Sequence, residues 1–333
     1  MQQYKQEWFG NIRGDILAGI VVCLALFPEV IGFMIVAGVP PIVGVYATFF
    51  ITAIAAFFGS SKGMISAAAG SVALVLAHLV AEYGIQYLFA ATILAGILQV
   101  ALGLLKVGTL MRYIPKPVMT GFVNGLGIMM FTSQLDHFQG SLLLPLLGLL
   151  GIAIIFLFPR VTKKIPAPIV AILVITAIVL GFGLDVKTLG DMGSISTDLP
   201  RFGIPAVPMT VETLRIIFPT ALSVAIVGLV ESLLTAQLVD EITEEKSDKN
   251  QETLSQGLGN VVSGFFGGIA GCGMIGQTII NLNYGGLGRL ATFLSGFFML
   301  LSVVLLNGSV VQIPVVALAA VMVVVSIETI NWD

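Results

Sequence analysis

The chain has 333 residues, of which 57% are hydrophobic, 10% are charged and 38 are glycine. Soluble domains carry about 25% charged residues, so this composition excludes a disordered chain, a coiled coil and a nucleic-acid-binding domain, and it argues against a soluble enzyme. The formal net charge of −3 favours no class of partner. An apolar, glycine-rich and charge-poor chain is typical of a membrane protein with several closely packed helices.

Twelve apolar segments follow the polar N-terminal residues 1–14. A helix of about 17–25 apolar residues crosses a bilayer. The segments cover residues 15–37, 42–59, 64–81, 87–107, 113–132, 142–159, 166–183, 213–240, 254–270, 272–284, 288–306 and 313–327. The tenth is too short and too rich in glycine to cross a membrane alone. We therefore predict an all-α, polytopic membrane protein.

Two longer connections do not fit a membrane span. Residues 184–210 contain charged side chains and three prolines, which predicts a structured extramembrane loop. The stretch Asp240–Glu252 has six carboxylates and two lysines, which is typical of a solvated connector.

The distribution of cations predicts the orientation of the chain. If the segments alternate from a cytoplasmic N-terminus, twelve lysines and arginines lie inside and three lie outside. Cytoplasmic loops of membrane proteins are enriched in these residues. We therefore predict a multi-pass protein of the cell inner membrane with its N-terminus in the cytoplasm.

Two carboxylates fall inside predicted spans, where a charge is costly and calls for a reason. Glu29 follows Pro28 in the first span, and Glu231 shares a helical face with Gly228 and Thr235 in the eighth. An ion or proton site is one interpretation. The alternative is a protonated glutamate that bonds a neighbouring helix.

The cysteines and histidines are too few and too far apart for a metal site or a disulfide framework. Cys23 and Cys272 are interpreted as small packing residues, and His78 as a core or interfacial histidine rather than a proton relay. No metal and no cofactor are predicted.

Runs of small residues at 63–71 and 267–278 interrupt the third and tenth spans. In many transporters, paired discontinuous helices point their N-termini, with free N–H groups, at an anionic substrate. The alternative is close helix packing through small residues. Two repeats of seven helices would place these breaks, and the two carboxylates, at equivalent positions. An odd number of helices per repeat inverts the second copy, as an inverted repeat requires.

Several motifs together resemble the SulP anion permeases, a family that includes vertebrate sulfate, chloride and bicarbonate exchangers and the motor protein prestin. The resemblance covers nearly the whole chain and is closest to bacterial sulfate-permease homologues. The stretches that carry it are Phe27–Glu29, Ala37–Ala47, Tyr113–Val118 with Gly121 and Phe122, Val230–Thr235, Ser247–Glu252, Gly257–Asn260, and Gly271–Gln277 with Asn281, Gly285 and Gly286.

The resemblance implies a uracil-permease-type fold of seven plus seven inverted helices, in which a core domain moves against a gate domain. Family members also have two further spans and a cytoplasmic STAS domain, so this chain is expected to be truncated after about twelve segments. The implied parts are a cytoplasmic segment (1–14), the core domain (15–110 and 213–306), the gate domain (111–183 and an incomplete 307–333) and an extracellular loop (184–212).

The resemblance also implies the site residues. The substrate-binding positions are Glu29, Phe33, Ala69, Gly70, Ser71, Gly273, Met274, Ile275 and Gly276, and those for the coupling ion are Glu231, Thr235 and Gly273. Three residues depart from the family pattern. Ala69 and Ile275 stand where the cyanobacterial bicarbonate transporter has threonines, and Gln277 stands where prestin-like members have an arginine.

These features predict an ion-coupled secondary transporter of a small inorganic anion, sulfate or bicarbonate foremost, working by elevator-type alternating access. The partners are the anion and the lipid bilayer, without nucleic acid, and a homodimer stays open. Protons are favoured over sodium because Ile275 removes one expected sodium ligand. The alternatives are an anion channel or voltage-responsive anion-binding protein, and a dicarboxylate or nucleobase permease. No enzymatic motif is found in the spans.

Overall fold

The computed structural model describes residues 2–109, 116–162, 166–192 and 199–330. Within these ranges the chain forms fourteen α-helices and two strands of three residues each. They are α1 (Gln2–Phe9), α2 (Ile12–Ala37), α3 (Pro41–Phe58), β1 (Ser66–Ala68), α4 (Gly70–Tyr83), α5 (Ile85–Leu104), α6 (Lys116–Gln134), α7 (Leu143–Leu157), α8 (Ala167–Gly181), α9 (Leu189–Met192), α10 (Val211–Thr243), α11 (Lys249–Phe265), β2 (Gly271–Gly273), α12 (Ile275–Asn283), α13 (Arg289–Val310) and α14 (Val315–Thr329).

Every predicted span corresponds to a helix or to a strand followed by a helix. The third and tenth spans are β1 with α4 and β2 with α12, so the predicted breaks are confirmed. By length and composition, five helical segments among the described residues can cross a membrane: Ile12–Ala37, Pro41–Phe58, Ile85–Leu104, Leu143–Arg160 and Val211–Thr243. Four shorter apolar helices accompany them.

Some predictions fall on residues outside the described ranges. They are the motif residues Tyr113–Pro115, the domain boundary at 110–111 and three of the cations counted above, Arg112, Lys163 and Lys164.

Close helix contacts depend on glycine. Helix α5 packs against α11, and α13 packs against α2 and α3. A Cβ atom added to Gly257 of α11 would lie 2.7 Å from the carbonyl oxygen of Gly96 in α5, so the two backbones touch directly. Helix α14 packs against α6, α7, α8 and α2. Small residues at such interfaces allow the van der Waals contact that drives helix association in lipid.

The acidic connector differs from its prediction at both ends. Helix α10 continues to Thr243 and α11 begins at Lys249, which leaves a link of only five residues. Lys249 Nζ lies 2.7 Å from a carboxylate oxygen of Asp240. Glu252 is 1% exposed and accepts the backbone N–H groups of Ser60 and Ser61 at 2.8 and 2.9 Å. The solvated interpretation was therefore wrong for Glu252, because its carboxylate caps the loop after α3.

The connection between α8 and α10 is structured, as predicted, over its described part. The N–H group of Leu189 donates to the carbonyl of Ile313 at 2.9 Å, and that of Gly203 donates to the carbonyl of Phe265 at 2.8 Å. Residues 193–198 lie outside the described residues. His78 is not a core residue, because its side chain is 80% exposed and lies 3.3 Å from Glu82, one turn further along α4, and the interfacial interpretation stays a prediction.

Candidate functional site

The two broken spans meet through their strands. Strands β1 and β2 pair antiparallel, with Ser66 opposite Gly273, Ala67 opposite Cys272 and Ala68 opposite Gly271. Each strand is followed almost at once by a helix, α4 at Gly70 and α12 at Ile275. Neither helix has a side-chain N-cap. The first N–H groups of both helices therefore remain available, and the helix dipoles give this region a positive potential.

Side chains from α12 and α13 fix the extended backbone that precedes β1. The backbone of Ile65 donates to Thr278 Oγ1 at 3.0 Å and accepts from the N–H of Met274 at 2.8 Å. Asn281 Nδ2 donates to the carbonyl of Gly63 at 2.8 Å, and Thr292 Oγ1 donates to that of Met64 at 3.1 Å. The non-helical backbone of the third span is thus satisfied inside the protein, as a membrane interior requires.

A polar stripe on α11 fixes the backbone around β2. We define it as Glu252, Gln256, Asn260 and Ser263, which are spaced by four, four and three residues and are all buried. Asn260 accepts the N–H of Gly271 at 2.9 Å and donates to its carbonyl at 3.1 Å, while Gln256 donates to the same carbonyl at 2.9 Å. Asn260 also donates to Gln99 Oε1 of α5 at 2.7 Å. This network of buried hydrogen bonds favours one position for β2, although Gln256 Oε1 has no hydrogen-bond partner among the described residues.

Glu231 of α10 lies where the two broken spans meet. One carboxylate oxygen accepts hydrogen bonds from Ser71 Oγ, in the first turn of α4, and from Cys272 Sγ of β2 at 2.9 Å. The Thr235 hydroxyl donates to the backbone carbonyl of Glu231 at 2.8 Å, so it does not bond the carboxylate. The neighbouring Ser232 accepts the N–H of Gly273 at 2.9 Å. Helix α10 is therefore bonded to both broken spans.

Glu29 of α2 makes the corresponding contact with the other half-helix. Its carboxylate accepts a hydrogen bond from Gln277 Nε2, in the first turn of α12, and the side chain is buried. The arrangement is crossed: a carboxylate from the first half of the chain bonds the half-helix of the second half, and Glu231 bonds the half-helix of the first. The predicted repeats placed the two carboxylates at equivalent positions but did not predict this crossed pairing, and α2 continues through Pro28 without a break.

The remaining predicted pocket residues lie at or beside the two helix starts. Phe33 is 3% exposed and covers Gly70, where an added Cβ would lie 2.6 Å from its ring. Gly276, in contrast, is exposed, and an added Cβ there would meet nothing within 4 Å. Ala69 and Met274 are buried N-cap residues of α4 and α12.

Sequence reasoning missed two residues of the site. Cys272 was interpreted as a packing residue, but its thiol donates to Glu231. Gln277 was noted only as the replacement of an arginine, but it bonds Glu29. The spacing of the polar stripe on α11 was the only local signal for the network around β2. The other cysteine, Cys23, is buried and lies 3.9 Å from Ser302 Oγ.

Comparison with known sequences decides the family. The profile of the Sulfate permease family matches residues 12–143 and 141–333. The chain belongs to this family. It is 56% identical over 332 residues to "Putative sulfate transporter YbaR" of Bacillus subtilis, covering 99% of this chain and 69% of that protein. It is 28% identical to "Bicarbonate transporter BicA" of Picosynechococcus, covering 100% of this chain and 64% of the relative. The chain thus spans about two thirds of the length of these relatives.

Solved structures agree with this assignment. The transmembrane domain of a cyanobacterial bicarbonate transporter, BicA, superimposes with a TM-score of 0.86 at 26% identity, covering 97% of this chain and 90% of that domain. The structure of SLC26A9 gives a TM-score of 0.83 at 20% identity over 96% of this chain and 58% of the other, and it supports the fold alone. The family and these relatives are described as transporters rather than enzymes, as predicted, and the chain is a multi-pass membrane protein.

Proposed function

We propose that this chain forms the anion-translocating part of a secondary active transporter for a small inorganic anion, sulfate or bicarbonate. The observation that supports it most is the meeting of two uncapped helix N-termini, α4 and α12, beside the exposed Gly276. Free N–H groups at helix ends bind anions without a side-chain cation. The names of the relatives point to the same two substrates.

The anion would lie between the first turns of α4 and α12. Backbone N–H groups at Gly70, Ser71, Ile275 and Gly276 are the proposed donors, and Phe33 forms an apolar wall. Because Gln277 is neutral and is bonded to Glu29, attraction of the anion depends on the helix ends rather than on a cation. The remaining predicted pocket residues are Ala69, Gly273 and Met274.

For the movement we propose an elevator. Helices α2–α5 and α10–α13, which carry the site, would form the core domain, and α6–α8 with α14 would form the gate. The packing of α14 on α6 and α7, and of α5 on α11, supports this division. Movement of the core past the gate would expose the site to the two sides of the membrane in turn.

Protons are the proposed coupling ions. Ser71 and Cys272 both point hydrogens at the Glu231 carboxylate, whereas a sodium ion needs oxygen lone pairs directed at it. Ile275 provides no oxygen ligand from its side chain, which leaves fewer side-chain oxygens for a sodium ion. We further propose an inner-membrane location with a cytoplasmic N-terminus, from the distribution of lysine and arginine, and leave a homodimer as a hypothesis.

The test is uptake of labelled sulfate and labelled bicarbonate into proteoliposomes, at fixed membrane potential, with pH and sodium gradients imposed separately. We expect saturable accumulation of one anion driven by the pH gradient. Accumulation driven by sodium alone would overturn proton coupling. Non-saturable flux that follows only the membrane potential would instead indicate a channel.

Substitution of Glu231 by Gln tests the role of its carboxylate. The change removes the charge and nearly keeps the shape, so we expect gradient-driven uptake to be lost while the protein still folds. Glu212→Gln is the matched control, because Glu212 is exposed in the first turn of the same helix. Unchanged gradient dependence in Glu231→Gln would show that this carboxylate is only structural.

A further inference from the structure

The segment 199–211, which leads into α10, has an apolar surface although it is not a regular helix up to Thr210. Five of its large apolar side chains are 64–91% exposed: Leu199, Phe202, Ile204, Met209 and Val211. A loop in water would normally be polar, and a contiguous exposed apolar patch marks a contact with a partner or a membrane.

The segment is held in one conformation against the helices. The N–H of Gly203 donates to the carbonyl of Phe265, and the N–H of Ala206 donates to Gln86 Oε1 at 2.9 Å. The ring of Phe202 stacks on that of Phe265, with centroids 5.4 Å apart. The outward direction of the apolar side chains is therefore fixed by the fold and is not an accident of a loose loop.

Part of the backbone of the segment is satisfied within the protein. Pro200, Pro205 and Pro208 have no N–H group. The N–H groups of Val207 and Thr210 donate to the carbonyls of Pro205 and Pro208, each at 2.9 Å. Irregular backbone is costly in the hydrocarbon core where its polar groups lack partners, so this segment suits the membrane interface, where headgroups and water bond its remaining N–H groups.

A groove of about 320 Å³ lies between the segment and the helices α5 and α10. Among its lining residues only Thr210 and Thr213 have polar side chains, and its walls include Ile93, Ile97, Ile204, Pro208, Leu214 and Ile217. Both helices are long and apolar enough to cross a membrane, and the groove lies beside the N-terminal end of α10 and the middle of α5.

Charged residues flank the apolar surface. Arg201 lies within the segment and Arg215 one turn into α10, and both are exposed, as is Glu212 between them. Arginines beside apolar surface extend their cationic groups toward lipid phosphates while their stems stay among apolar groups. The combination of an apolar groove and two flanking arginines fits a phospholipid.

We propose that the segment 199–211 lies in the membrane interface and that its groove holds an acyl chain of a phospholipid. The structured extramembrane loop predicted from its charges and prolines would then contact the membrane. This proposal is independent of the transported anion and of the coupling ion.

The test uses nitroxide labels on introduced cysteines in the protein reconstituted into phosphatidylethanolamine–phosphatidylglycerol liposomes. Met209→Cys and Ile204→Cys report on the groove, since both residues line it. Leu149→Cys, exposed on the apolar helix α7, is the lipid control, and Asp185→Cys, exposed in the same connection, is the water control. Both native cysteines are buried, so the unsubstituted protein should give little label.

We expect oxygen, which concentrates in lipid, to relax the labels at Met209→Cys and Ile204→Cys as strongly as at Leu149→Cys, with little effect of a water-soluble nickel complex. Strong relaxation by nickel, as at Asp185→Cys, would overturn the proposal in favour of a loop in water. Weak relaxation by both agents would overturn it in favour of a protein partner, including a second copy of this chain.

Discussion

Asn260 provides the sharpest test of how the fold builds the site. It is fully buried and connects α11 to Gln99 of α5 and to Gly271 of β2 through three hydrogen bonds. Substitution by Ala leaves two buried groups without these partners, the N–H of Gly271 and the Gln99 side-chain oxygen. The carbonyl of Gly271 keeps its bond from Gln256.

The size of the effect follows from these losses. Each buried polar group left without a partner costs about 1–3 kcal/mol, so Asn260→Ala should lower the free energy of unfolding by about 2–6 kcal/mol. Gln237→Ala is the control, because Gln237 bonds only the exposed Glu241 on its own helix. The control should change stability little, since an exposed pair within one helix contributes only a few tenths of a kcal/mol.

The assay uses a thiol-reactive dye during heating in detergent. Cys23 and Cys272 are 3% and 0% exposed, so they react when the protein opens. We expect Asn260→Ala to react at a clearly lower temperature than the parent protein and Gln237→Ala. Since Cys272 follows Gly271 directly, the variant should also lose anion uptake at temperatures where it remains folded. An unfolding temperature equal to that of Gln237→Ala would refute the structural role of this network.

Three further outcomes are expected. Glu252→Ala should lower the free energy of unfolding by about 2–6 kcal/mol, because it leaves the backbone N–H groups of Ser60 and Ser61 without their acceptor. Glu252→Gln, which keeps a side-chain oxygen, should have a smaller effect. Equal thermal stability of Glu252→Ala and Glu252→Gln would contradict the capping role of this carboxylate. Gly257→Ala should separate α5 from α11 and lower the unfolding temperature, whereas Gly121→Ala, which has open space around it, should not. Burial raises the pKa of Glu7, but the hydrogen bond and charge of Arg289, with a neighbouring lysine, outweigh it and hold that pKa below its usual value of 4.5. The Glu7 contact should therefore stabilise α1 fully above about pH 4.5 and weaken as the pH falls. Hydrogen exchange in α1 measured at pH 7 and pH 4 checks this, and a Glu7→Gln variant with the same pH response would contradict it.

Local signals in the sequence were sufficient for the spans and their breaks. The length of an apolar run and a run of small residues are properties of neighbouring positions, so they predicted the twelve spans and the half-helices that begin at Gly70 and Ile275. A carboxylate among apolar residues stands out in the same way, which drew attention to Glu29 and Glu231. Several boundaries shifted by a few residues, and α11 begins at Lys249, five residues before the predicted span 254–270, because its first turn is polar.

Only the tertiary structure decided what those residues touch. The bond from Ser71 to Glu231 joins positions 160 apart, and that from Gln277 to Glu29 joins positions 248 apart. No local pattern encodes such pairings, because they depend on how the helices pack and on the register of β1 against β2. Of the polar stripe of α11 only Glu252 was predicted to be solvated, and the packing of α11 on α5 and α3 buries the whole stripe. Buried polar groups are stable only with partners, and those partners come from distant parts of the chain.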